Sequence, residues 1–318
     1  MTPTQLRAFA AVVRHGSVKG AAEELCVTEA AISLHVAQLR KELDNKLFVR
    51  ATSGLAFTPG GLRLASRATE LLGLQDLTVL EVTQAGAGRR LLRVGSTALF
   101  AEHAAPGLID SFAERADDLD VELSIRSPRQ FHSLLVGRGI DVAIGPRPPD
   151  VDGLVESTHF LNYQVIAVAA PDHPLARLTP SAAELRRQTW LLGPAATDSA
   201  GVVPQMLRRI GVPEESQQIF QNHIAAIEEA KHGLGIALAV GFAVQQDLVR
   251  GALRRIPGPL LQGQGSWHLT RLAGTNATPA AAELARFATT PRATQAMLRG
   301  TGISRGRFKP SIYVTLWS

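Results

Sequence analysis

Between Ser17 and Leu43 the chain places small hydroxyls, short apolar groups and basic groups where one surface could present them together. At about 100° per residue, Ala30, Ser33, Leu34, Ala37 and Lys41 fall on a single helix face. Their chemistry suits close approach to a polyanion. Ser33 can donate to a phosphate or a base, Lys41 supplies positive charge, and the alanines leave room for close contact. Thr28 and Ser17 stand just ahead of helical patterns as candidate caps, and both belong to the same prospective contact set.

The opposite face of this helix carries Ile32, Val36, Leu39 and Leu43 at steps of four, three and four, which predicts one buried stripe. A shorter helix before it puts Ala21, Ala22 and Leu25 on one side. Two helices joined by a tight turn, the second exposing a small-residue face with a basic end, form the helix-turn-helix pattern. In that pattern the second helix enters the DNA major groove. An ordinary helical hairpin with exposed alanines would read the same way locally, so the surrounding chain has to discriminate.

Before the motif, residues 4–14 read as a helix with Leu6, Phe9, Ala10 and Val13 inward, ended by Gly16. After it, Leu47-Phe48-Val49-Arg50 and Leu55-Ala56-Phe57 flank Ser53-Gly54, which predicts a β-hairpin. Such a hairpin beside two helices is a wing, with Arg50 at its base facing phosphate or minor groove. Thr58-Pro59 then starts a long helix, a cap residue followed by proline, that runs to about Ala85 and stops at Gly86-Ala87-Gly88. Leu62, Ala65, Thr69, Leu72, Asp76 and Val79 approximate a heptad, widened by Leu64, Leu71, Leu74 and Leu77. A helix this apolar needs a partner surface, and a second copy of itself is the economical one.

Composition supports the polyanion reading. The 318 residues allow two or three domains and carry a net charge of +5. Residues 1–67 hold nine Lys+Arg against five Asp+Glu, and residues 292–318 hold five basic side chains and no acidic one. The middle of the chain is mildly acidic. Basic ends suit phosphate neutralisation with counterion release, and the Ala-rich helices lack the aromatic, strongly apolar face that a membrane surface would require. No basic-then-apolar leader and no run of spanning length is visible, so a cytoplasmic protein is expected. The single cysteine, Cys26, cannot form an internal disulfide and is expected to be a small buried side chain.

From Leu91 the period changes. Strands at 91–95, 121–125 and 140–145 alternate with helices at about 103–115 and 129–137, a βαβαβ signature. A second unit starts at Tyr163–Ala169 and continues through helices at 180–187, 201–210 and 224–232 and strands at 189–193, 217–221 and 235–240. Gly265–Leu272 then reads as a strand and Pro279–Phe287 as a helix returning to the first lobe. The segment after Pro291 gives mixed signals. Two lobes imply a cleft, and ligands in open α/β sheets bind beyond the carboxyl ends of strands.

These residues resemble the LysR-type transcriptional regulator family. The likeness rests on Leu6 and Phe9, Gly16-Ser17, Ala21-Ala22 and Leu25, then Val27-Thr28, Ala31, Ser33, Leu39 and Leu43. It continues through Leu47-Phe48-Val49-Arg50 and Thr58-Pro59-Gly60-Gly61. Asp172-His173-Pro174-Leu175-Ala176 resembles the family's second lobe, so only the tail lies outside the likeness. Three positions depart from the pattern. Glu29 stands where glutamine is usual, Leu34 where a polar or basic residue is common, and Arg40 where glutamate usually follows leucine. Glu29 could accept from a cytosine amino group or simply favour the positive end of the helix dipole; Leu34 could press a thymine methyl.

The resemblance implies an α/β protein with a winged helix-turn-helix at 1–58 and a linker helix at 59–88. A two-lobed, periplasmic-binding-protein-like effector domain would span 89–291, with its second lobe at about 163–262, ahead of a basic tail at 292–318. It implies double-stranded DNA, a second copy or a tetramer of the chain, and a small-molecule effector as partners. Strand-end hydroxyls and arginines suit a small anion or carboxylate. The candidates are Ser96, Thr97, Arg126, Ser127, Arg147, Thr197 and His223, although Ser96 and Thr97 could merely cap the next helix and the arginines could be solvated.

Enzyme readings find little support. There is no Gly-x-Ser-x-Gly, no phosphate-cradling loop with lysine and no His-Glu-x-x-His. The nine histidines show no ligand spacing, so neither a metal nor a cofactor is expected, and no catalytic residue is assigned. Gly233-Leu234-Gly235 lacks the third glycine of a dinucleotide fingerprint. A secreted solute-binding module would share the two lobes but not the amino-terminal motif.

Overall fold

The computed structural model describes residues 1–51, 54–116, 118–148, 153–198 and 201–299. They form two compact units, one of residues 1–88 together with the short segment 136–139, and one of the remaining residues from Arg89 onward.

In the first unit, α1 (Pro3–His15) opens with a capping box between Thr2 and Gln5 and closes at Gly16, whose φ of 62° only glycine adopts cheaply. Its inward face is Leu6, Ala8, Phe9, Ala11 and Val12, so the expected Ala10 and Val13 are half-buried flanks. Helices α2 (Val18–Glu24) and α3 (Glu29–Leu43) follow. Ile32, Val36 and Leu39 are buried as expected, but Leu43 is 41% exposed because the chain turns away at Asp44, where φ is 45°. Cys26 corrects another expectation. It occupies a left-handed turn after α2 (φ 53°) and is exposed, not buried.

Strands β1 (Phe48–Ala51) and β2 (Gly54–Phe57) pair antiparallel, with Phe48 opposite Phe57. Phe48 also stacks on Phe9 at 6.4 Å, which binds the hairpin to the helical core. The hairpin's turn, Thr52-Ser53, lies outside the described residues. Helix α4 (Pro59–Ala87) then runs for 29 residues. Its start explains Gly61. A Cβ there would sit 1.9 Å from the Leu47 carbonyl oxygen, so only glycine lets the helix start pass that carbonyl.

In the second unit, β3 (Arg90–Ser96) leads directly into α5 (Ala98–His103), and Pro106 starts a separate α6 (Ala105–Ala113). The expected helix at 103–115 is therefore two helices, the first beginning five residues earlier. Next come β4 (Leu119–Ile125), α7 (Pro128–Val136) and β5 (Val142–Gly145). The second half holds β6 (Val155–Ala169), α8 (Ala182–Arg186), β7 (Trp190–Leu192), α9 (Val202–Ile210) and β8 (Gln217–Ile219). It continues with α10 (His223–Lys231), β9 (Ile236–Val240), α11 (Gln245–Arg250) and β10 (Arg254–Arg255). The chain returns through β11 (Gln262–Leu272), α12 (Pro279–Ala288) and α13 (Pro291–Arg299).

The described strands of this unit form one sheet in the order β4-β3-β5-β11-β6-β9-β7-β8, with β10 on β6. Pairing is parallel within β4-β3-β5 and within β9-β7-β8, as alternating strands and helices require. Between them, β11 runs antiparallel to β6 over its whole length, from Val155 to Ile166 of β6. The expected strand at 163–169 is only the second half of β6; its first half, from Val155, lies beside the part of β11 that pairs β5. These two long strands serve both lobes. The sheet is thus mixed, and the lobes are joined by strands rather than by loops.

The segment after Pro291 contains α13, whose Ala293 and Met297 are fully buried. Residues 300–318, including Arg305, Arg307 and Lys309, lie outside the described residues. Among the described residues no helix is long and apolar enough to cross a membrane.

Candidate functional site

Helix α3 holds the first candidate surface. Thr28 caps it by accepting from the Ala31 N–H at 3.2 Å, and Ser17 caps α2 by accepting from Gly20 at 3.0 Å. Both hydroxyls therefore have structural work, while their O–H groups remain donors. Once Ile32, Val36 and Leu39 are buried, helical geometry turns Ala30, Ser33, Leu34, Ala37 and Lys41 outward, and all five are exposed. Leu34 is 58% exposed, an apolar side chain that this unit does not cover. Glu29 is exposed in the first turn, where the helix dipole favours a carboxylate. The backbone of Arg50 pairs with Leu55 in the hairpin; its side chain is outside what is described.

Two residues not singled out as contacts complete this surface. Arg40 donates to the Phe48 carbonyl at 2.8 Å and lays its guanidinium over the Phe48 ring at 4.3 Å. The departure at this position thus ties α3 to the hairpin. Lys46 is exposed and lines a groove with Ser33, Val49 and Leu55. Its only sequence signal was a positive charge just ahead of the predicted hairpin.

The second candidate site lies in the second unit. Strands β3, β4 and β5 end side by side, so Ser96-Thr97, Arg126-Ser127 and Arg147 share one edge of the sheet. The Arg126 N–H donates to the Ser96 carbonyl at 2.8 Å, and the Thr97 N–H to that of Ile144 at 3.1 Å. Ser96 is fully buried, whereas Thr97 is half-buried at the start of α5 and its side chain makes no capping bond. Arg126 is half-buried; Ser127 and Arg147 are exposed.

The second-lobe candidates behave differently. Thr197 is exposed and donates to the Pro194 carbonyl at 2.8 Å. His223 is not open to solvent: it is 2% exposed and packs against Gly193, where a Cβ would come within 2.4 Å of its ring. The His223 N–H donates to Glu102 Oε2 at 2.6 Å. Glu102 and its neighbour His103 belong to α5, so this contact joins the two lobes. Burial, then the neighbouring His223, pushes His103 down to about 4, which keeps it neutral near pH 7.

Around β6 and β11, Tyr163 stacks on Trp267 with ring centroids 4.2 Å apart, and Phe100 meets the same indole edge-on at 5.2 Å. Burial, with Asp198 contributing, raises the Tyr163 hydroxyl to about 12, so it stays protonated as a donor. Asn162, Gln164, Gln264 and Ser266 line a groove with it. Nearby, burial, His159 and Arg147 hold His268 below the usual histidine range. Sequence spacing could not single out these residues, because β6 and β11 are a hundred positions apart.

Comparison with known proteins decides what these two surfaces belong to. Residues 3–62 match the model of the bacterial regulatory helix-turn-helix protein, lysR family, and residues 85–290 match the LysR substrate binding domain. The chain is a LysR-type transcriptional regulator. Over the full length of both chains it is 52% identical to an uncharacterized HTH-type transcriptional regulator of Mycobacterium tuberculosis. It is 26% identical to the RuBisCO operon transcriptional regulator of Allochromatium vinosum, over 89% of this chain and 94% of that one. Among solved structures, ArgP from Mycobacterium tuberculosis shares the fold with a TM-score of 0.60 at 18% identity, covering 91% of this chain and 96% of that one. Full-length LysG from Corynebacterium glutamicum does so with a TM-score of 0.52 at 18% identity, covering 93% and 98%. The LysR family is one of transcription regulators rather than enzymes, and this member carries an effector-binding domain.

Proposed function

We propose that this LysR-type regulator acts in the cytoplasm by laying the exposed face of α3 in the major groove of promoter DNA, as a dimer or a higher oligomer. The observation that carries the reading is the division of α3 into a buried stripe and an exposed face of small residues ending in Lys41. Ser17, Thr28, Glu29, Ala30, Ser33, Leu34, Ala37, Lys41 and Arg50 form the contact set, and Lys46 extends it. Residues 1–58 bind DNA, 59–88 join protomers, 89–291 sense the effector, and the basic segment 292–318 follows.

Dimerisation through α4 is supported by its exposed apolar side chains. Leu62, Leu71, Leu74, Val79 and Val82 are 58, 45, 47, 61 and 69% exposed in the single chain. A second α4 packed against them would remove that surface from water.

The effector is a small anion, in keeping with a carboxylate, held between the lobes. The half-buried Thr97 hydroxyl and the arginines at positions 126 and 147 offer donors and positive charge. Ser127 and Thr197 flank them, while Ser96 and His223 stand behind the lining. Such a ligand acts by favouring one arrangement of the lobes. Footprinting of the promoter region beside the gene, with and without small carboxylates, tests the reading. A protected region whose extent changes with one carboxylate supports it. No protection under any condition refutes it.

A further inference from the structure

Three side chains at the seam between the lobes have a chemistry that anion sensing does not use. Glu102 and His103 end α5 in the first lobe, and His223 begins α10 in the second. One ligand atom from each lies within 4.8 Å of the other two. Both imidazoles are almost completely buried, at 3% and 2% exposure.

The hydrogen bonding of this cluster is incomplete. His103 Nε2 and both ring nitrogens of His223 are buried without a hydrogen-bond partner. Nδ1 of His223 lies 2.9 Å from Glu102 Oε1, yet without the alignment of a hydrogen bond. Buried polar atoms left unpartnered are rare and costly, and three of them on two imidazoles beside a carboxylate call for an explanation. We propose that Glu102, His103 and His223 form a binding site for a divalent cation of the Zn2+, Co2+ or Ni2+ class, held by one carboxylate oxygen and one nitrogen from each imidazole.

The donor set fits that class. Imidazole nitrogen with carboxylate oxygen suits these borderline ions, whereas Mg2+ and Ca2+ prefer all-oxygen sites. Three protein ligands leave a fourth position for water in tetrahedral geometry. The outer groups are set as metal sites require. The His223 backbone N–H holds Glu102 Oε2 at 2.6 Å and orients Oε1, and Gly193 lets the His223 ring pack flush on the backbone. Because its ligands come from both lobes, the cation would pin α5 to α10 and favour the arrangement in which they touch.

The test uses full-length, tag-free, metal-stripped protein titrated with Co2+ and then Zn2+, followed by calorimetry and visible absorption. One equivalent per chain is expected, with the d–d bands of a four-coordinate ion, no thiolate charge transfer, and displacement by Zn2+. His103→Gln and His223→Gln should each weaken binding by about 100-fold or more, beyond the roughly 10- to 100-fold loss typical when a group behind the ligands is removed. His159→Gln, in the histidine pair on β6 and β11, should leave it unchanged. X-ray absorption of the Zn2+-loaded wild type reads the ligands even if a variant fails to fold, and should show two imidazoles and no sulfur. Absence of saturable binding, a sulfur ligand from Cys26, or unchanged affinity in both folded variants overturns the proposal. None of these readouts involves DNA, so they stand apart from the regulatory reading.

Discussion

The DNA-facing surface and the interlobe seam are built in opposite ways. The first is drawn from α3, fifteen consecutive residues whose two faces separate by helical period alone. The second brings Glu102 and His103 against His223, 120 positions further on, by closing strands and helices of two lobes. A surface carried on one element is specified by local pattern. A seam exists only once the sheet has ordered β4-β3-β5 and β9-β7-β8 around the long pair β6 and β11.

Substitutions in each region should separate the two. The largest effect is expected from Ser33→Glu, which sets a carboxylate against the phosphates while leaving the exposed helix face free of clashes. Promoter affinity in a gel shift should fall by about 100-fold or more, roughly 2.8 kcal/mol, with circular dichroism and oligomeric state unchanged. Wild-type affinity in that variant would remove α3 from the interface.

Next come two glycines, one in each unit. Gly61→Ala drives a Cβ into the Leu47 carbonyl, and Gly193→Ala drives one into the His223 ring. Each should cost about 1–3 kcal/mol in denaturant unfolding, as overpacking does. Gly61→Ala should also weaken DNA binding, whereas Gly193→Ala should spare it. If both variants lose DNA binding equally at matched stability, the two regions are not separable in the way described.

Arg40→Ala removes the guanidinium from the Phe48 ring and leaves the Phe48 carbonyl without that donor. A loss of about 1–2 kcal/mol is expected, combining a hydrogen bond to a charged donor with lost packing, measured as a lower thermal midpoint. An unchanged midpoint would mean that the hairpin does not depend on α3. The smallest effect is expected from Lys41→Ala, which should lower the slope of log affinity against log salt by about 1. An unchanged slope would place Lys41 away from phosphate.

Legibility followed the same division. The α3 stripe, the Thr58-Pro59 helix start and the presence of the hairpin were readable because caps, prolines and period act over a few residues. What failed locally did so at element ends: Leu43 and Cys26 sit where left-handed turns at Cys26 and Asp44 redirect the chain. In the effector unit, α5 was missed because its six residues carry no clear period ahead of Pro106. The first half of β6, from Val155, was missed because its ladder partner is a hundred residues away. Helix α13 was unreadable for a related reason, since the burial of Ala293 and Met297 depends on α6. Among the candidate effector residues, Ser96, Thr97 and Arg126 were found from strand ends that do come together. Glu102 and His103 were invisible, because nothing near them in sequence points to His223.

On the proposed reading, this chain binds DNA through a basic surface of phosphate contacts. The most direct test is the equilibrium affinity of the full-length protein for its own promoter fragment, titrated against salt. Log affinity should fall linearly with log salt concentration, with a slope near −0.9 per phosphate neutralised, and Ser33→Glu should abolish the specific component. Binding that is absent, or insensitive to salt, would contradict that reading.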